Sequence, residues 1–164
     1  MAGEVPDDTG PFRLPDARIR SATTLIRSFH DATAGSGLCA GQEVVCHGDL
    51  GPHNTVFRGE RAVALIDFED DVGPGRRLDD FAQAVWGFAD LTDAAVPLAE
   101  QARRTRLMCD VYGGVTPPAV VEALTARFRR AHDQHLAAGL PGAVRVFADL
   151  LTWMARFGNR IADA

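Results

Sequence analysis

Hydrophobic positions along this 164-residue chain follow two periods, and the switch between them divides the molecule. From Pro15 to about Ala34, Ile19, Ala22, Ile26 and Phe29 recur at the three-to-four-residue spacing of one helix face, with a proline in the first turn. Gly35, Gly37 and Gly41 end that helix and lead into Glu43-Val44-Val45-Cys46, a short apolar run that reads as a buried strand. Thr55-Val56-Phe57 and Ala62-Val63-Ala64-Leu65-Ile66, separated by Arg58-Gly59-Glu60-Arg61, read as strand, turn, strand. The helical period then returns four times: Phe81, Val85 and Phe88; Leu98, Ala102, Cys109 and Tyr112; Val121, Leu124 and Phe128; and Phe147, Leu150, Leu151, Met154, Phe157 and Ile161. Gly113-Gly114, Pro117-Pro118, Gly139 and Pro141-Gly142 punctuate the joins. The pattern predicts a mainly α fold around one small β-hairpin. Residues 1–14, polar and broken by Pro6, Gly10 and Pro11, read as a loosely held lead-in, and residues 15–164 as one domain.

Composition narrows the functions open to such a fold. With 46% hydrophobic and 24% charged residues the chain can bury one core. A net charge of -5 argues against a nucleic-acid partner, because neutralising phosphates takes a clustered basic surface. Three cysteines, Cys39, Cys46 and Cys109, fit neither a disulfide framework nor a zinc site and read as reduced core residues. No run approaches the roughly 18 apolar residues of a membrane helix, and the N-terminus has no basic and apolar leader, so a cytoplasmic protein without a membrane partner is expected. All seventeen basic residues are arginine.

Candidate chemistry sits around the hairpin. His47-Gly48-Asp49-Leu50-Gly51-Pro52-His53-Asn54 has the kinase catalytic-loop spacing of His, any residue, Asp, Leu, three residues, Asn. Phosphoryl transfer needs a carboxylate beside the attacking hydroxyl and an amide oxygen aimed at a metal on the phosphates, and Asp49 and Asn54 supply these groups. The apolar strand from Val63 to Ile66 stops at Asp67-Phe68, which presents a second carboxylate at a strand end. Other patterns carry less. Gly35 to Ala40 looks like a dinucleotide fingerprint but follows a helix and precedes a strand, the reverse of the required order. Asp67, Glu69 and Asp71 fail as a calcium loop because Gly73 comes one residue late and no Glu closes the frame. His132 and His135 lack a third ligand and read as surface residues. Arg103, Arg104 and Arg106, like Arg127, Arg129 and Arg130, read as solvated helix faces. The acidic cluster of Glu69, Asp70, Asp71 and Asp79 fits either a cationic substrate or a solvent-facing surface.

Departures from protein kinases point to a narrower family. Gly48 and Glu69 stand where protein kinases place Arg and Gly, and no Ala-Pro-Glu segment follows. The run His-Gly-Asp-Leu-Gly-Pro-His-Asn-Thr-Val-Phe, then Ala-Leu-Ile-Asp-Phe-Glu-Asp, then Gly-Pro-Gly-Arg-Arg-Leu-Asp-Asp-Phe-Ala resembles the aminoglycoside phosphotransferase and choline kinase family. It covers at least residues 43–89, and Phe29-His30-Asp31-Ala32 extends it to near residue 15. The resemblance implies a protein kinase-like C-terminal lobe that moves a phosphoryl group from ATP or GTP with Mg²⁺ to the hydroxyl of a small molecule. It implies Asp49 as catalytic base, Asn54 and Asp67 as Mg²⁺ ligands, His47 as a brace of the loop and Asp80 as structural support opening a helix. The family's N-terminal lobe brings strands, a hinge and a phosphate-binding lysine. Only 46 residues precede His47, and none of them is lysine, so that lobe is read as absent and the chain alone as weakly active or inactive. A separate N-terminal lobe or a second copy is then the expected partner. The alternative is a non-catalytic binding or dimerisation module using the lobe's exposed upper face.

Overall fold

The computed structural model describes residues 3–6, 14–68 and 72–163. In chain order the elements are α1 (Asp16–Thr33), β1 (Val44–Cys46), β2 (Thr55–Arg58), β3 (Arg61–Leu65), β4 (Gly73–Gly75), α2 (Arg77–Phe88), α3 (Leu98–Tyr112), α4 (Pro117–Ala137) and α5 (Pro141–Ala162). Short 3₁₀ turns occupy Gly37–Cys39 and Pro52–Asn54. The face of α1 picked out by its period, Ile19, Ala22 and Ile26, is buried, and His30 continues it. Ile19, Ala22 and Ile26 join Leu50, Phe57, Phe81, Phe88, Met108 and Phe128 in one core. Each such burial contributes about 1.5–3 kcal/mol, so the helices are set by packing more than by propensity.

The β structure is two small antiparallel sheets, not one hairpin. β2 and β3 pair as expected from the turn between them, with Thr55 opposite Leu65 and a bulge between Val56 and Phe57. β1 finds its partner in β4, Val44 lying opposite Gly75 and Cys46 opposite Gly73. Gly-Pro-Gly has no strand-forming side chain, so nothing in the pattern announces this strand. Gly75 answers to space: a Cβ there would lie 2.6 Å from Cys46 Sγ. The strand ladder fixes β1 just ahead of His47 and β4 just ahead of α2, and so joins the two ends of the candidate site.

Two other expectations change. Glu4, inside the stretch read as a loose lead-in, exchanges backbone hydrogen bonds with Phe57 at 2.8 and 2.7 Å, and its carboxylate pairs with Arg18. Leu14 is buried as well. Arg104, read as part of a solvated face, is 4% exposed and pairs with Asp90 at 2.6 Å and Glu100 at 2.9 Å. Its burial is tolerable because two carboxylates neutralise it. Cys39 and Cys109 are buried, Cys46 is half-buried, and none forms a disulfide. No described helix is long and apolar enough to cross a membrane.

Candidate active site

The loop from His47 to Asn54 leaves β1, passes through the 3₁₀ turn and enters β2. Its entrance is fastened by Asp80 in the first turn of α2. Asp80 Oδ2 accepts from the His47 amide at 2.9 Å, and Oδ1 accepts from the Gly48 amide at 2.8 Å. His30 Nε2–H donates to the same Oδ2 at 2.9 Å, and Nδ1 lies 2.6 Å from the Tyr112 hydroxyl. Burial pushes the Tyr112 phenol up, so it keeps its proton and donates it to Nδ1. The buried Asp80 carboxylate thus receives three donors, which is what allows a charge at zero exposure. Gly48 adopts φ +87°, a left-handed conformation that any larger side chain would strain, so the glycine has a backbone reason.

Asp49 stands differently, with its side chain 47% exposed. Its Oδ2 accepts from His53 Nε2 and from Asn54 Nδ2, both at 3.1 Å. Gln83 Nε2, from α2, approaches Oδ1 at 3.5 Å. Asn54 is buried, and its Nδ2 also donates to the Asp49 carbonyl at 2.9 Å, so its Oδ1 is turned away from that carboxylate. His47 Nε2–H donates to the Ile66 carbonyl at 2.9 Å, and the Ile66 amide donates to the Asn54 carbonyl at 3.0 Å. Asp67 follows at once, exposed, at φ +66°. This backbone costs a non-glycine residue about 1 kcal/mol, and the double hold on Ile66 stabilises it. The Phe68 ring packs 4.4 Å from His47 and 5.7 Å from Phe29, yet remains 48% exposed.

His47, Asp49, Asn54 and Asp80 therefore share one hydrogen-bonded cluster, and Asp67 joins it through the backbone of Ile66. Glu69, Asp70 and Asp71, of the acidic cluster and the rejected calcium frame, lie outside the described residues. His53 and Gln83 enter the cluster without having been singled out in the sequence. His53 had a signal, lying four residues after Asp49 inside the motif; Gln83 lies 34 positions away in the chain and had none. Arg127 is a third addition: it is half-buried, and its Nη2 donates to the Gly48 carbonyl at 3.1 Å. Beside His53 opens a cleft of about 260 Å³ lined by Pro52, Trp86, Gly87, Asp90 and Asp93.

The donor set at the loop is hard oxygen: the Asn54 amide, the Asp67 carboxylate and Asp49. Burial pushes the Cys46 thiol up to about 12, with Asp80, Asp79 and Glu43 adding to it, so sulfur chemistry beside the loop is disfavoured. Among the described residues no group of three or more His, Cys, Asp or Glu side chains is arranged to hold a metal ion. Of these, the Asn54 and Asp67 oxygens suit a Mg²⁺ ion that keeps its other positions for phosphate and water, and do not suit zinc. His132 pairs with Asp133, and His135 stacks on Phe147.

A sequence model of the phosphotransferase enzyme family matches residues 4–115, which hold the cluster apart from Arg127. The chain belongs to that family. Among curated proteins this phosphotransferase-family chain is similar to the trifolitoxin immunity protein of Rhizobium leguminosarum bv. trifolii. The two are 36% identical over 110 residues, covering 54% of this chain and 42% of the relative, so the chain spans less than half of that protein's length. No solved structure matches. The family match begins at residue 4, where the chain is already tied to Phe57, and ends before α4; α4 and α5 of the phosphotransferase-family chain lie beyond it.

Proposed function

We propose that the chain is a protein kinase-like catalytic lobe that transfers a phosphoryl group from ATP or GTP to a hydroxyl of a small molecule. The observation that carries this reading is Asp49: a half-exposed carboxylate with one oxygen occupied by His53 and Asn54 and the other nearly unengaged, its partner His53 lining a cleft. Oδ1 takes the proton of the acceptor hydroxyl, the acceptor oxygen bonds to the terminal phosphorus, and the bond to the bridging oxygen breaks to release the nucleoside diphosphate. Asn54 Oδ1 and the Asp67 carboxylate are the groups that would hold Mg²⁺, whose role is to neutralise charge on the phosphoryl oxygens. His47 and Asp80 keep the loop in shape for this.

The chain has no lysine to reach the phosphates, so nucleotide affinity and turnover by this chain alone are expected to be weak. A separate N-terminal lobe, or a second copy, would complete the nucleotide cleft, and the cytoplasm is the compartment that supplies the nucleotide. The test is thermal unfolding with Mg²⁺, MgATP and MgGTP at millimolar concentrations, since ligand binding to the native state raises its apparent stability. A nucleotide shift that needs Mg²⁺ and disappears in Asp67→Ala is expected; its absence at any nucleotide concentration overturns the proposal.

A second reading is a non-catalytic binding module. It draws support from the exposed Ile66 and Phe68 at the site's rim and from a relative whose name speaks of immunity to trifolitoxin. A stable dimer with no nucleotide response would favour it.

A further inference from the structure

A second cleft of about 310 Å³, between α2, α4 and α5, shares Trp86 with the cleft beside His53. Arg127 and Arg130 line it on α4, with Gln134, while Trp86 and Phe147 form aromatic walls. Five arginines among the described residues are buried or half-buried: Arg18, Arg27, Arg77, Arg104 and Arg127. The first four each pair with a carboxylate, namely Glu4, Asp31, Asp31 again, and Asp90 with Glu100. Arg127 is the exception: among the described residues its one hydrogen bond is to the Gly48 carbonyl. A partly desolvated guanidinium without a counter-charge is costly, and in a chain with 22 acidic residues against 17 arginines a carboxylate was easy to supply. Arg130 adds a second guanidinium one turn along the same cleft.

We infer that this cleft anchors the acceptor and takes an oxyanion, so that the acceptor is a small hydroxylated acid and not a polyamine. Resting on the phosphotransferase reading is only the word acceptor; the anion site stands on Arg127 and Arg130. Two features tie the cleft to the loop. Trp86 walls both clefts, and His53 at the far side touches Asp49. Arg127 grips Gly48, the residue before Asp49. Apart from Trp86, the lining residues all follow residue 115, beyond the family match.

The experiment is calorimetric or NMR-detected binding to the full chain, without nucleotide or Mg²⁺, of gluconate, glucose and glucosamine, which share a carbon skeleton and differ in charge. Glucose 6-phosphate separates a phosphate ester from a carboxylate as the anion. Gluconate or glucose 6-phosphate is expected to bind at least about tenfold more tightly than glucose or glucosamine, weakening with salt, and to lose about tenfold in Arg130→Gln. Arg130 is exposed, so that variant folds; Arg127→Gln, which also frees Gly48, is the second variant. Preference for glucosamine, no anion binding at millimolar concentration, or anion binding indifferent to both arginine changes overturns the inference. Loss of MgATP binding in these variants with no effect on sugar acids overturns it too, by making the cleft a nucleotide site. Asp67→Ala is expected to keep gluconate binding, so arginine-dependent anion binding without any Mg-nucleotide response would sink the phosphotransferase reading and leave the anion site standing.

Discussion

Asp80 and Asp67 both serve the loop that carries Asp49, and they are held in opposite ways. Asp80 is buried, with three donors on its two oxygens and a chain of contacts through His30 to Tyr112. Asp67 is exposed, accepts no hydrogen bond among the described residues, and sits on left-handed backbone. The first arrangement lowers the folding free energy and fixes geometry. The second places a left-handed backbone under a carboxylate that no described residue holds, which is why the reading proposed above gives it to a ligand. One carboxylate is therefore engaged by the fold, and the other is left open to solvent.

The largest test of that contrast is Asp80→Ala. Removing the carboxylate strands two loop amides and a buried His30, and a loss of about 3–5 kcal/mol is expected by chemical denaturation. Tyr112→Phe leaves only His30 Nδ1 without a partner and should cost about 1–2 kcal/mol. Asp67→Gly relieves the backbone and should stabilise the chain by up to about 1 kcal/mol while abolishing the Mg-dependent nucleotide shift. A destabilisation by Asp67→Gly equal to that of Asp80→Ala would erase the distinction. The smallest effect concerns a surface triad that lies apart from both. Hydrogen bonds from Arg103 hold the Asp16 and Glu100 carboxyls below their usual range. Their folded pKa values lie below the unfolded ones, so this stability is fully present above about pH 4.5 and is lost as pH falls through the folded values. Arg103→Gln should flatten that acid limb by only a few tenths of a kcal/mol, because the groups are exposed and screened by salt.

The helices could be read from the sequence because their apolar faces recur over several turns, and periodicity survives small errors at the ends. α2 to α5 lie where Phe81, Leu98, Val121 and Phe147 begin their series. β4 could not be read, since Gly73-Pro74-Gly75 pairs through backbone alone and its glycine answers to a sulfur 29 residues earlier. The loop motif was legible because chemistry fixes its spacing. Gln83 and Arg127 were not, because each reaches the loop from a separate helix, and a helix-face reading of charge assumes solvent where α4 instead meets Gly48. The same assumption hid Arg104, whose partner Asp90 lies 14 residues away across a turn.

Trp86 lines two clefts at once, of about 260 and 310 Å³. Whatever trims its indole alters the lining of both at once. On the reading proposed above, a guest seated in one cleft and the loop acting beside the other would share that single ring, so a change there could not touch one without the other.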